Sequence, residues 1–156
     1  MNSTLATGDS LRGRLLRAEE YAQIRPMPDA IEILKRLQEK RYGYPEIHII
    51  SRVVDPHVGA MCNRWIDQQP GLSEIVPRER RHFCNHRESK KGICLELGAQ
   101  IMIDNTLDVL RHMVGRVRNL ILFRPSDEEE SARHWRLVNT GKVTLVDSWD
   151  DIAEIL

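Results

Sequence analysis

Residues Gln100-Ile101-Met102-Ile103-Asp104-Asn105 decide how this chain is read. Three large apolar side chains in succession end in an acid, with Gly98 shortly before them and Thr106 directly after. A short apolar run bounded by turn signals is the pattern of a strand buried on both faces. Working outward toward the C-terminus, residues 106–114 read as a helix and Asn119-Leu120-Ile121-Leu122-Phe123 as a second strand. A charged helix over 127–138 and a strand Val143-Thr144-Leu145-Val146 follow, and Ser148 is placed to cap a final helix with Asp151 in its first turn.

Toward the N-terminus, 88–97 reads as a helix closed by Gly98, the residue type that best tolerates the left-handed conformation past a helix end. Glu74-Ile75-Val76 reads as a short strand ended by Pro77, with an arginine- and histidine-rich loop after it. A helix over 56–68 carries Val58, Met61, Cys62, Trp65 and Ile66 on one side, and Pro70-Gly71 is a turn. Ile47-His48-Ile49-Ile50 is another short apolar strand, with Ser51-Arg52 directly after it. Ala30, Ile31, Leu34 and Leu37 recur at helical spacing up to Lys40, behind a Pro26–Pro28 turn and ahead of Gly43 and Pro45. Trp65, Trp135 and Trp149 fall on the expected helices as core or interface anchors.

Strands alternating with amphipathic helices imply an α/β domain: a three-layer, Rossmann-like parallel sheet of about five strands with helices on both faces. That domain is expected over residues 25–156, behind a helical or irregular segment over 1–24. The length of 156 residues suits one proper core. Lys+Arg and Asp+Glu both number 23, so no basic excess points to nucleic acid. The short cluster Arg78, Arg80 and Arg81 reads as a solvated loop. No apolar run is long enough to span a membrane. The three cysteines, an odd count without framework spacing, point to reduced thiols in the cytoplasm. His82, Cys84 and His86 lie close together, but H-x-C-x-H lacks the paired spacings of structural zinc, and plain loop residues are the expectation.

In parallel sheets, ligands bind outside the carboxyl ends of the strands. Those ends carry Ser51-Arg52, Asp104-Asn105 and Arg124. The order of the pieces resembles the haloacid dehalogenase-like phosphohydrolases. Arg25–Leu37 resembles the helix entry before the second family motif, and Ile47–Arg52 resembles that motif itself, a strand ending in a phosphate-binding Ser/Thr. Ser89-Lys90-Lys91-Gly92-Ile93-Cys94-Leu95-Glu96-Leu97-Gly98-Ala99 resembles the third-motif region, and Ile101–Asn105 the fourth. Val143–Ile152 is similar to the end of the 5′-nucleotidase-like branch, so the resemblance spans residues 25–156 in the right order.

The resemblance implies a phosphate-bearing small molecule as ligand, with Ser51 and Arg52 on the phosphate and Lys90 or Lys91 supplying charge; register alone leaves both lysines open. It implies Mg²⁺ held by Asp104, with Asn105 where many relatives have a second acid. Asp108, one turn further on, is either another metal ligand or a surface helix residue. An Asn for an acid weakens such a site.

The larger departure is the family's first motif, an apolar strand ending in Asp-x-Asp that supplies the nucleophile and the general acid/base. The 24 residues before Arg25 contain no such strand, and Asp9, the acid nearest the start, lacks both the preceding strand and an Asp two residues later. The gap in the sheet is filled by 3–6, filled by another chain, or closed, giving the order 74–76, 47–50, 101–104, 119–123, 143–146. Closure is the favoured expectation, a flavodoxin-like 2-1-3-4-5 sheet. Three functions follow: a catalytically degenerate binding or interaction domain, an active phosphomonoester hydrolase whose nucleophile comes from another segment or partner, or a non-phosphatase enzyme on the same scaffold. Self-association or a protein partner is expected under each, to cover apolar surface.

Overall fold

The computed structural model describes residues 23–39, 46–124 and 137–156. Asp9, Trp135, the 3–6 stretch, the turn at Gly43 and Pro45, and most of the 127–138 helix lie outside those residues. The chain divides into two compact units, Met1–Asn85 with Leu156, and His86–Ile155.

In the first unit, helix α1 (Ala30–Glu39) buries Ala30, Ile33 and Leu34. Strand β1 (Ile49–Arg52) follows, with Ile49, Ile50 and Ser51 buried and Arg52 exposed. Helix α2 (Pro56–Gln68) starts where the sequence says it should: Asp55 is extended, its Oδ1 accepts the His57 N–H at 2.8 Å, and Pro56 occupies the first turn. Proline costs nothing there, because a first-turn N–H has no helical partner anyway. Val53, Met61 and Cys62 form a small core, with Ile24, Val58 and Phe83 packed against it. The buried Trp65 adds to this unit and donates its Nε1–H to the Ile24 carbonyl at 2.7 Å.

Residues 74–76 correct the sequence reading. Leu72–Ile75 is a short helix, α3, packed on α1 and α2, and Val76 closes it. Gly71, at φ 79°, provides the left-handed turn that starts it. Leu72, Ile75 and Val76 are buried at i, i+3 and i+4, which is helical phase; the β-branched pair Ile75-Val76 misled the local reading. The strand lies later, within the expected loop. After the 3₁₀ turn Arg78–Arg80 comes β2 (Arg81–Cys84). It pairs in parallel with β1, Ile49 opposite Arg81 and Arg52 opposite Cys84. Arg81 is no solvated loop residue either, being 8% exposed.

In the second unit, helix α4 (Ser89–Glu96) ends in a Schellman motif. Gly98 sits at φ 61°, the Ala99 N–H donates to the Cys94 carbonyl at 2.9 Å, and the Gly98 N–H donates to Leu95 O at 3.1 Å. Strands β3 (Ile101–Asp104), β4 (Asn119–Phe123) and β5 (Thr144–Val146) form a parallel sheet in the order β3-β4-β5. Helix α5 (Leu107–Arg111) is shorter than the expected 106–114; its chain continues in turns through Gly115, at φ 75°. Helix α6 (Trp149–Ile155) carries the expected capping box. Asp151 N–H donates to Ser148 Oγ at 3.1 Å, and Asp151 Oδ2 accepts the Ser148 N–H at 2.8 Å. Leu120 to Phe123 are all buried, and the Phe123 ring packs on Trp149 with centroids 5.8 Å apart. The molecule is therefore mixed α/β, with one parallel sheet of two strands and one of three among the described residues.

Candidate functional site

The second unit concentrates the candidate residues at the carboxyl end of β3. Asp104 is the last residue of that strand and is 1% exposed. Its Oδ1 accepts the Thr106 N–H at 2.9 Å, the side-chain turn by which an aspartate redirects the chain two residues on. Its Oδ2 accepts from Lys90 Nζ at 2.6 Å. Lys90 lies in the first turn of α4 and is itself buried at 8% exposure. A carboxylate and an ammonium this deeply buried stabilise each other only as a pair, because either alone would retain the full cost of leaving water.

The sequence left Lys90 and Lys91 open, and the geometry separates them. Lys90 shares a helix face with Cys94 and meets Asp104, whereas Lys91 is half-buried and outside the pair. Asn105 is half-buried beyond Asp104. Asp108 falls on the exposed side of α5 and takes an Arg111 Nε contact at 3.2 Å, so it is a surface helix residue. Cys94 donates its thiol to Met102 Sδ at 3.6 Å, and burial pushes its pKa up to about 11, which leaves it a poor nucleophile at neutral pH. Arg124, exposed at the end of β4, has φ 40°, in the left-handed region that residues other than glycine seldom adopt.

Magnesium prefers octahedral oxygen ligation from several donors. Around β3 the described residues offer Asp104, with one oxygen on an ammonium and the other on a backbone N–H, and the Asn105 amide. Among the described residues no three His, Cys, Asp or Glu side chains converge as a metal set. The arrangement therefore fits an ion pair better than a resident divalent cation.

Ser51 and Arg52 belong to the first unit. Ser51 is buried at 5% exposure and its carbonyl accepts the Cys84 thiol at 3.6 Å; Arg52 reaches solvent. The charged centre of this unit was not expected from sequence. Arg81, its side chain 1% exposed, donates to Asp67 Oδ1 at 2.7 Å, to the Val76 carbonyl at 2.9 Å and to the Asn63 carbonyl at 3.3 Å. Arg78 holds the other Asp67 oxygen at 2.7 Å, and these two guanidinium groups, Arg78 first, hold the Asp67 carboxyl below its usual range. The H-x-C-x-H cluster disperses. His82 faces His48, with Nε2 and Nδ1 3.0 Å apart, and Cys84 faces the Ser51 carbonyl. The signal for that partnership was His48 itself, a polar ring inside an apolar strand run. None of the three cysteines forms a disulfide.

Compared with family models, with curated proteins and with solved structures, the chain matches none. No helix among the described residues is long and apolar enough to cross a membrane.

Proposed function

We propose that this chain is a haloacid dehalogenase-like relative that binds a phosphate-bearing small molecule without hydrolysing it. The observation that carries the reading is the Lys90 ammonium held 2.6 Å from Asp104 at the carboxyl end of a parallel strand, the end where α/β sheets receive their ligands. Its support from sequence is the order of the stretches around Ser51, Lys90 and Asp104. A phosphate needs donors and positive charge around its oxygens. Asp104 orients the lysine, and an anion arriving at Lys90 finds a preorganised donor. No apolar run of the sequence ends in Asp-x-Asp, the pair that would supply a nucleophile and a general acid/base, and the role proposed for these residues is binding.

The same reading treats the five strands as one sheet of order 2-1-3-4-5, with 81–84 taking the outer place first expected of 74–76. A crystal structure with a further strand beside β1 would overturn that order. It also carries a cytoplasmic setting and self-association. Leu95, Leu97, Ile101 and Leu145 are 37–41% exposed, and light scattering is expected to show a species larger than a monomer.

The binding reading is tested by calorimetry with inorganic phosphate and with a nucleoside monophosphate. Lys90→Met/Asp104→Asn removes both charges, while the introduced amide oxygen can still accept the Thr106 N–H. This variant is expected to fold and to bind at least about tenfold more weakly, a loss near 1.4 kcal/mol. Unchanged binding would reduce the pair to a structural staple. Magnesium-dependent hydrolysis of p-nitrophenyl phosphate by the intact chain would instead make the protein an active phosphomonoesterase.

A further inference from the structure

In the first unit the strand pair β1–β2 carries two histidines side by side. His48 stands immediately before β1, and His82 is the second residue of β2, opposite Ile50. Their rings stack with centroids 5.3 Å apart and an interplanar angle of 26°, and His48 Nδ1 lies 3.0 Å from His82 Nε2. The far nitrogen of His48, Nε2, lies 3.5 Å from Glu46 Oε2, and the other Glu46 oxygen takes Arg80 at 3.3 Å. Among the described residues, these are the charged groups on the pair: Glu46 from the segment before β1, and Arg80 through it from the turn before β2. Arg81, next in sequence, sends its guanidinium to Asp67 and the carbonyls of Val76 and Asn63 instead.

The proton positions follow from this arrangement. A carboxylate at Nε2 of His48 favours the tautomer with its proton there, leaving Nδ1 with a lone pair. His82 must then carry its proton on Nε2 and donate it to His48. Two ring nitrogens 3.0 Å apart with a proton between them are not a metal site, and Glu46 stands on the wrong nitrogen of His48 to complete one.

We propose that His48 and His82 form a proton-operated latch between the start of β1 and β2, closed with zero or one added proton and opened by the second. One proton taken from solvent leaves a single N–H between the facing nitrogens, so the bond survives. A second puts an N–H on each of them, with no lone pair between and two positive rings in contact. The rings must then separate, and with them the ladder whose far end carries Ser51 and Arg52. Burial, and then the neighbouring His48, lowers the His82 pKa from its usual 6.5, in keeping with a closed neutral pair. For a group with a depressed native value, the contribution to stability is full above 6.5 and is lost as the pH falls below it.

The test is an imidazole NMR titration of the intact chain from pH 7.5 to 4.5, with amide hydrogen exchange of residues 49–52 and 81–84. The His82 midpoint is expected below 6.5, with the signals of both rings responding across the same step. Exchange in the two strands, corrected for intrinsic chemistry, is expected to accelerate at least about tenfold across that step. His82→Gln, which keeps a hydrogen bond but takes no proton, is expected to abolish the acceleration. Glu46→Gln is expected to move the opening to lower pH, because it removes the anion that favours protonation. A His82 ring titrating at 6.5 or above with no change in strand exchange would overturn the latch. So would a wild-type response in His82→Gln, or an opening that stays put or rises in Glu46→Gln. Should His82→Gln fail to fold, the wild-type titration and Glu46→Gln still decide.

Discussion

Among the described residues each unit buries one cation, and the two solve the same problem differently. Arg81 in the first unit spreads its guanidinium over a carboxylate and two backbone carbonyls, and its acid, Asp67, keeps a 32% exposed side chain. Lys90 in the second unit has one carboxylate, and that partner is 1% exposed. The planar fork of arginine can satisfy several acceptors at once, and loss of one leaves the others. The Lys90–Asp104 pair has no such reserve. Lys90 is accordingly the cation more exposed to the loss of its partner.

Breaking the pair one-sidedly tests this contrast most severely. Lys90→Met alone strands the buried Asp104 charge and is expected to cost about 3–5 kcal/mol, read as a drop in denaturant midpoint. Adding Asp104→Asn is expected to recover most of that loss, since a buried pair replaced as a unit is often close to neutral. Recovery of less than half would mean that the pair organises its surroundings beyond balancing its own charges. Arg81→Lys is expected to cost less, about 1–3 kcal/mol, because one ammonium cannot reach all the acceptors. An effect equal to that of Lys90→Met would erase the distinction between the two sites.

The smallest effect belongs to Asp67. Asp67→Asn is expected to cost about 0–1 kcal/mol, since solvent screens a half-exposed pair. Its native carboxyl lies below the ordinary 3.8, so its contribution is complete above that value and disappears as the pH falls below it. A stability profile from pH 5 to 2 is expected to flatten slightly in the Asn variant. An identical acid limb in both proteins would show that Arg81 is held by its carbonyls alone.

Much of the second unit could be read directly. β4 needed only its run of apolar residues, and the ends of α4 and α6 were marked by Gly98, Ser148 and Asp151, whose capping bonds are local. In the first unit α2 was equally plain, from Pro56 onward, and the structure adds Asp55 as its cap. β2 was not, since Arg81-His82-Phe83-Cys84 has no apolar alternation and its arginine is buried only because Asp67, Asn63 and Val76 gather around it. α3 was misread because Ile75-Val76 favours strands locally, while packing on α1 and α2 selects the helical phase of Leu72, Ile75 and Val76. The choice of Lys90 over Lys91 had a faint signal: Lys90 lies one turn from the buried Cys94, and Lys91 one turn from the exposed Leu95.

The sequence by itself determined the parallel α/β character, the strand at Ile101–Asp104, the start of α2, the end of α4 and the start of α6, all of which rest on side-chain periodicity and bonds within a few residues. Tertiary structure alone decided which charges are buried and with whom: Lys90 with Asp104, Arg81 with Asp67, His48 beside His82. The residues in each of these pairs are 14, 14 and 34 positions apart. Burying a charge is tolerable only where a partner arrives, and that arrival is a property of the folded chain, not of any local stretch.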